Sequence, residues 1–247
     1  MEQNKQSTIE GRNPVYEALS ADMPVERIYI SNRAGGSQIA KLISLAKAKG
    51  VPFKSVAPDK IDELSHTESN QGVVAVCSEI TYCSVEDILN RAKEKDEAPF
   101  VIIADEITDP HNLGAIIRTA NAVGAHGVII PKNRSVGVNS TVFKTSAGAA
   151  AHTPVARVNN LVRTMDELKK AGLWITGADM AGEQEMCDAD LKGAIAIVVG
   201  SEGKGILKNV KENCDFLVRI PMVGEINSLN ASVAAAVLMY EVFRQRK

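Results

Sequence analysis

Ile195-Ala-Ile-Val-Val-Gly-Ser-Glu-Gly-Lys-Gly205 decides the fold predicted for this chain, because an apolar, β-branched run passes there directly into a glycine-rich loop. Ile220-Pro-Met-Val-Gly-Glu-Ile-Asn-Ser-Leu-Asn-Ala-Ser232 repeats the pattern and leads into an alanine-rich helix. Parallel strands deliver such loops to the carboxyl edge of a sheet, where α/β proteins bind ligands. Asp109-Pro-His-Asn-Leu-Gly-Ala-Ile-Ile-Arg-Thr-Ala120 has the same strand-loop-helix form, so the three stretches predict one shared site.

The order of predicted elements indicates an α/β protein of two domains with a charged linker between them. Strands alternate with helices over residues 1–80, which predicts a small layered unit. Residues 81–98 are interpreted as a helix frayed into a linker, since Asn90–Glu97 is almost wholly charged, although Ser84-Val-Glu-Asp87 begins like a capping box. Residues 99–247 hold six predicted strands separated mostly by helices, which favours a mainly parallel sheet covered on both faces.

Bulk composition excludes several classes of protein. A formal charge of −2 and a pI near 6.1 give no global signal for nucleic acid. The four cysteines form no Cys-x-x-Cys pair, so free thiols in the core are expected, with neither disulfides nor a zinc site. The chain starts without the apolar segment of a signal peptide, and no apolar run approaches the roughly eighteen residues of a membrane span. A cytoplasmic protein without a membrane partner is therefore expected.

One segment is purely cationic. Between Pro110 and Met165 there is no Asp or Glu, where the average acid content of the chain predicts about six or seven. The window predicts a phosphate-facing surface, because phosphate contacts supply much of the affinity for nucleic acid. The alternative is that the acidic residues are absent by chance and that the segment contains a packing helix rich in small residues. Its basic residues are Arg118, Lys132, Arg134, Lys144, Arg157 and Arg163.

The loop Gly200–Gly205 does not match the nucleotide-binding motifs. It is neither G-x-x-x-x-G-K-[ST], since Gly205 follows Lys204, nor G-x-G-x-x-G, and it lies late in the chain. ATP and NAD are therefore disfavoured. Two interpretations of the loop stay open. It either surrounds a small ligand with its backbone N–H and C=O groups or is a plain strand-to-helix turn.

The upstream stretch offers three polar candidates. Asn112 lies at the start of a predicted helix. It is either a residue of the functional site or the N-cap of this helix. Arg118 lies in an otherwise apolar helix, where it either contacts a ligand or extends to solvent. His111 is interpreted as a surface residue of the turn, with general base catalysis as the alternative. Without a Ser-His-Asp arrangement or a metal-ligand cluster, hydrolysis is disfavoured and no metal is expected.

Together the three stretches, in this order, resemble the motifs of the SpoU/TrmH family of SPOUT methyltransferases. The resemblance implies methyl transfer from S-adenosylmethionine to a ribose 2′-OH of RNA, in a homodimer. It also implies a deep C-terminal trefoil knot, which general folding rules do not predict. Ile9–Leu19 and Asn70–Ala75 resemble the L30e-like substrate-binding domain of the rRNA branch of the family. The resemblance implies a guanosine of 23S rRNA as the target. The expected domains are thus 1–80 for RNA binding and 99–247 for catalysis.

The resemblance also assigns residues. It implies catalytic or substrate-positioning roles for Asn112, Arg118, Glu202 and Asn230. The implied cofactor-binding residues are Gly200, Glu202, Ile220, Ser228 and Leu229. The expected RNA contacts are Arg12 of the N-terminal domain and, from the cationic window, Lys132, Arg134 and Lys144.

Arginine stays protonated in proteins, so Arg118 is expected to clamp a phosphate and to stabilise the developing alkoxide; a role as base is the alternative. Two other functions stay open: the same reaction on tRNA, and a non-catalytic RNA-binding factor of ribosome assembly. A nucleotide-dependent dehydrogenase or kinase ranks last, since the loop lacks the motifs of either.

Overall fold

The chain divides into two units, residues 1–81 and 82–247. No helix in the part of the chain with defined structure is long and apolar enough to cross a membrane. The computed structural model describes residues 7–20, 23–65, 70–77, 82–225 and 228–247.

A four-stranded sheet in the order β1-β4-β2-β3 organises the N-terminal unit. β2 pairs with β3 in parallel and with β4 antiparallel, and β1 pairs antiparallel with β4. β4 is buried along its whole length, which explains its unbroken apolar sequence. The elements are β1 Ser7–Glu10, α1 Arg12–Ser20, β2 Val25–Ser31, α2 Ser37–Ala48, β3 Phe53–Val56, α3 Pro58–Leu64 and β4 Val73–Cys77.

The C-terminal unit is built on a seven-stranded sheet in the order β7-β6-β5-β10-β8-β11-β9, in which every pair is parallel. Its elements are α4 Val85–Glu94, β5 Phe100–Ala104, α5 Pro110–Ala122, β6 Gly127–Pro131, α6 Ser140–Thr145, a 3₁₀ turn Ala149–Ala151, β7 Val155–Val158, α7 Leu161–Lys170, β8 Trp174–Ala178, β9 Gln184–Glu185, β10 Ile195–Val199, α8 Lys208–Lys211, β11 Phe216–Arg219 and α9 Ala231–Arg246.

Helices cover both faces of this sheet, as the sequence predicts. Apolar side chains of α4, α7 and α8 join one core with alternate residues of the central strands, such as Val101 and Val198. α9 contacts β10 and β8, and it packs on α5, which contacts β6. The strand order reverses beside β5, and in open α/β sheets ligands bind at such a point, outside the carboxyl ends of the strands.

The predicted linker 81–98 is wrong for most of its length. Residues Val85–Glu94 form a complete helix of the C-terminal unit, with Ile88 and Ala92 fully buried. The capping box is confirmed, because the Ser84 hydroxyl accepts from the Asp87 N–H and the Asp87 carboxylate from the Ser84 N–H. The charged residues occupy the exposed side of an amphipathic helix, and the two buried apolar positions anchor it.

The sequence did not predict two of the strands, and the expectation that all four cysteines lie in the core was wrong. β1 (Ser-Thr-Ile-Glu) and β9 (Gln-Glu) are short and mostly polar, so neither has the apolar run that marks the other strands. All four cysteines are free thiols, as expected, but Cys187 is exposed and lies outside the core.

A buried histidine predicts how stability depends on pH. His126 is 1% exposed; its Nδ1 accepts from the Phe100 N–H at 3.0 Å, and its Nε2 lies 3.1 Å from Glu97 Oε2. Burial lowers the pKa of His126 below 6.5. The unfolded chain therefore binds more protons in this range, so the free energy of unfolding is expected to fall as pH drops below 6.5. Melting curves from pH 7.5 to 5 check this. The His126→Asn variant should show a shallower slope, and an equal slope in both proteins would assign the effect to other groups.

Candidate functional site

Three polar side chains from distant parts of the sequence meet in the C-terminal unit. Asn112 Nδ2 donates to Glu202 Oε1 at 3.0 Å, and Asn230 Nδ2 donates to Asn112 Oδ1 at 3.0 Å. Asn230 Nδ2 also donates to Glu202 Oε1. We call these three residues the amide–carboxylate cluster. Each comes from a different one of the three stretches that the sequence predicts to share a site.

Asn112 does not cap its helix. The N-cap of α5 is Asp109, whose side chain accepts from the His111 N–H at 3.1 Å, and Pro110 takes the first helical position. Asn112 therefore lies inside the first turn, 7% exposed, with its amide free to reach across to Glu202. Its role as an N-cap, the alternative left by the sequence, is wrong.

Asn230 joins the cluster to the last helix. Its Oδ1 accepts from the N–H groups of Ser232 and Val233 at 3.0 and 3.3 Å, which caps α9. With the oxygen engaged in this way, the amide nitrogen is left to donate to Asn112 and Glu202. A single side chain thus fixes the start of α9 relative to the loop after β10.

Glu202 receives both amides on one oxygen. Its Oε1 accepts from Asn112 and Asn230, whereas Oε2 has no hydrogen-bond partner in the described part of the chain. Two donors on Oε1 hold the carboxylate in a fixed orientation, so the position of Oε2 is also defined.

A cavity of about 730 Å³ opens at the carboxyl ends of β8, β10 and β11. Its wall includes Val199, the last residue of β10, and Ala178, the last residue of β8. Its size falls in the range of roughly 300–1,000 Å³ typical of small-molecule sites. All five residues expected to bind a cofactor line it: Gly200, Glu202, Ile220, Ser228 and Leu229.

The loop after β10 is folded tightly on itself. Ser201 and Gly205 exchange backbone hydrogen bonds of 2.9 and 3.1 Å. A Cβ on Gly200 would lie 2.0 Å from the Gly205 carbonyl carbon and 2.2 Å from the Ile206 nitrogen, so only glycine fits this close approach. The helix predicted near 204–213 is shorter: α8 spans Lys208–Lys211, and Lys204 stays in the loop.

Sequence reasoning missed Asp105, which holds this loop. It follows β5 directly and is 1% exposed; its Oδ2 accepts from the Leu207 N–H at 2.8 Å, and its own N–H donates to Val199 at 2.8 Å. Burial raises the pKa of Asp105 above its ordinary value. The only sequence signal was an acidic residue at the end of an apolar strand, in the place where site residues of α/β sheets occur.

A second cavity, of about 360 Å³, lies next to the first and was not anticipated. Ser201, Glu202 and Lys204 line both cavities, and Asn112 lines the second. The amide–carboxylate cluster therefore stands between two neighbouring spaces. The rest of the second cavity is formed by the segment that enters α5: Glu106, Ile107, Thr108 and Asp109.

Arg118 is not part of this arrangement. It is exposed on α5, lines neither cavity, and makes no hydrogen bond or salt bridge among the residues the structure describes. The turn residue His111 is exposed, as expected.

The cationic window is partly neutralised by acids from outside it. Arg134 Nη1 lies 3.3 Å from Glu106, and Arg163 Nε lies 3.2 Å from Glu167. Lys132 and Lys144 are exposed. In the N-terminal unit the Arg12 guanidinium donates to the carbonyls of Gly35 and Gln71, both at 3.2 Å, so it also ties two loops together.

Within the described residues, one group of three possible metal ligands lies close together: Glu185, Cys187 and Asp188 near β9. None of these residues lines either cavity.

The fold and the site define an α/β protein with two adjoining cavities at the carboxyl edge of a parallel sheet. Residues 99–240 match the SpoU rRNA methylase family, and residues 8–83 match the family described as RNA 2′-O ribose methyltransferase substrate binding. The chain therefore belongs to the SpoU/TrmH family of RNA methyltransferases, and the resemblance drawn from its three motifs is confirmed.

Relatives and solved structures agree with this membership. A Bacillus subtilis protein assigned to the TrmH family of tRNA/rRNA methyltransferases is 47% identical over 236 residues, covering 96% of this chain and 94% of that protein. A relative with the same assignment from Staphylococcus aureus (strain MSSA476) is 45% identical over 242 residues, which cover 97% of this chain and 96% of that protein. A similar solved structure is that of the SpoU methyltransferase AviRb from Streptomyces viridochromogenes in complex with AdoMet. The match has a TM-score of 0.73 and 27% sequence identity, and it covers 98% of this chain and 90% of the AviRb chain.

Proposed function

We propose that this protein transfers a methyl group from S-adenosylmethionine to the ribose 2′-oxygen of a guanosine in 23S rRNA. The observation that carries the proposal is the larger cavity, whose lining includes the glycine-rich loop and Glu202 of the amide–carboxylate cluster. AviRb, which matches over 98% of this chain, was solved with AdoMet, and this supports the identity of the donor.

The residues of the larger cavity fit the donor. Val199, Ile220 and Leu229 offer apolar surface for an adenine ring, and the tightly folded loop offers backbone N–H and C=O groups for its polar edge. Gly200, Glu202, Ile220, Ser228 and Leu229 are thus proposed to bind the donor. Bound there, the donor supplies a methyl group already activated by its sulfonium, so the protein chiefly aligns the acceptor oxygen and excludes water.

The catalytic residues proposed are Asn112, Glu202 and Asn230, with Arg118 as a clamp for an RNA phosphate. The guanidinium of Arg118, which is exposed and has no partner among the described residues, suits a bidentate contact to phosphate. Its position outside both cavities supports a clamp more than a base. The exposed side chains of Lys132 and Lys144, with Arg134 and Arg12, are proposed to contact RNA as well.

Replacing Arg118 by lysine distinguishes the two roles. As a clamp, Arg118→Lys keeps the positive charge and is expected to retain activity within about tenfold, whereas Arg118→Ala loses about 10–100-fold. Single-turnover methyl transfer measures both, and Arg163→Lys, which is exposed and paired with Glu167, is the matched control. A lysine variant as inactive as the alanine variant would contradict the clamp and favour an obligatory guanidine.

The N-terminal unit favours rRNA over tRNA as the substrate. Its match to a substrate-binding family indicates a module separate from the catalytic domain, as suits a large structured target. Residues 1–80 hold nine basic and ten acidic residues, so binding there is proposed to depend on RNA shape and ribose contacts more than on charge. Methylation of tRNA is the alternative, because the named relatives are assigned to tRNA/rRNA methyltransferases.

Methyl transfer from labelled S-adenosylmethionine to unmodified 23S rRNA and, in parallel, to bulk tRNA tests the proposal. A single 2′-O-methylguanosine mapped in 23S rRNA is the expected result. Label in tRNA alone would keep the reaction and overturn the substrate. RNA binding with neither donor binding nor transfer would favour the non-catalytic assembly factor.

A homodimer and a knotted C-terminal domain belong to the same proposal. α9 is apolar around most of its circumference, and its side away from the core leaves Val233 and Tyr240 about half exposed, at 46% and 52%. Such a face suits contact with a second copy of the chain. The trefoil knot is proposed on family membership.

A further inference from the structure

The carboxylate of Glu202 is placed to take part in the chemistry itself. It lines both cavities, and its Oε1 is held by two amides while its Oε2 makes no hydrogen bond among the described residues. A carboxylate oxygen that is oriented but unsatisfied, between two ligand spaces, is suited to accept a proton from a group bound beside it.

We propose that Glu202 Oε2 accepts the proton of the target 2′-hydroxyl, and that the acceptor nucleoside occupies the smaller cavity. This rests on the proposed function, which places the donor in the larger cavity. As the bond between the 2′-oxygen and the methyl carbon forms, the sulfur–carbon bond of the donor breaks and its electron pair stays on sulfur. The hydroxyl proton passes to Oε2, and the negative carboxylate and positive sulfonium both become neutral.

The other charged groups lining the cavities are less suited to this role. Asp179 pairs with Lys211 at 2.8 Å, and Glu106 pairs with Arg134 at 3.3 Å. Asp109 caps α5 and, like Glu106, lines only the smaller cavity. Lys204 lines both cavities but carries a positive charge, which disfavours proton uptake.

Arg118, the alternative base, lacks both the chemistry and the position. A guanidinium has no acceptor site and is not deprotonated in proteins. Arg118 is also absent from the lining of both cavities. With Glu202 as proton acceptor, Arg118 is left to bind the RNA phosphate.

The Glu202→Gln variant tests the proposal, because its amide oxygen still accepts from Asn112 and Asn230 while Oε2 becomes an NH₂ group. Single-turnover methyl transfer is expected to fall at least about 10²-fold, in the range of general-base catalysis. The wild-type rate is expected to fall toward low pH, and the rate of the variant is expected not to change over the same pH range. The dissociation constant for S-adenosylmethionine, measured by calorimetry, is expected to stay within about threefold.

Glu212→Gln, which removes an exposed carboxylate outside both cavities, is the control and should behave as wild type. Transfer by Glu202→Gln within threefold of wild type would overturn the proposal, and so would a loss of donor affinity as large as the loss of rate. A wild-type protein that methylates no RNA would instead overturn the proposed function.

Discussion

Replacing Gly200 by alanine is expected to abolish binding of the methyl donor. The new Cβ would lie 2.0 Å from the Gly205 carbonyl carbon, 2.1 Å from its oxygen and 2.2 Å from the Ile206 nitrogen. All three are backbone atoms, so no rotamer change relieves the overlap and the loop must open. Because this loop lines the larger cavity, the affinity for S-adenosylmethionine should fall at least about 100-fold, with about 1–3 kcal/mol lost from the free energy of unfolding.

Calorimetric titration with S-adenosylmethionine and thermal melting measure the two effects of Gly200→Ala. Gly193→Ala is the matched control, since a Cβ there meets nothing within 4 Å and the residue precedes β10 at the opposite end of the strand. The control should bind the donor as the wild type does. Donor affinity in Gly200→Ala within threefold of wild type would mean that the folded-back loop does not shape the donor site.

The sequence predicts most of the sheet of the C-terminal unit because its longer strands are nearly continuous apolar runs. β5 and β10 are buried at every position, as central parallel strands must be when helices cover both faces. β9 has two residues and joins the edge by hydrogen bonds to β11 alone, so no periodicity marks it. α4 was mistaken for a linker because its second half is mostly charged, although Ile88 and Ala92 are buried and Val85 and Leu89 pack against the same core.

The candidate site is only partly readable from sequence, because its contacts join residues far apart in the chain. Asn112 and Glu202 are ninety residues apart, and Asn112 and Asn230 are 118 apart. The spacing of these residues in the sequence predicts none of these contacts. The resemblance to a family placed the three residues in one site, and the fold shows which atoms are in contact. Asp105 was missed for the same reason, since its partner Leu207 lies 102 residues away.

Asn230→Asp is expected to impair methyl transfer severely while preserving the cap of α9. Aspartate caps a helix as well as asparagine does, so the acceptor for the N–H groups of Ser232 and Val233 remains. The amide that donates to Glu202 Oε1 is replaced by a second carboxylate oxygen. Two like charges at hydrogen-bond distance repel, and the carboxylate of Glu202 must turn away from its present position. Single-turnover transfer should fall at least about 100-fold, as for loss of a general base.

Stability measurements separate this loss from loss of the cap. Asn160→Asp makes the same change at the exposed N-cap of α7, which accepts from the Arg163 N–H and belongs to neither cavity, so its activity should match wild type. In Asn230→Asp two negative charges lie close together in the folded chain but not in the unfolded chain, and their repulsion weakens as the pH falls. Its stability deficit should therefore be largest near neutral pH and shrink as pH falls toward 5. A deficit that is the same at pH 5 and pH 7, with transfer near the wild-type rate, would show that Asn230 and Glu202 are not coupled and that Asn230 serves α9 alone.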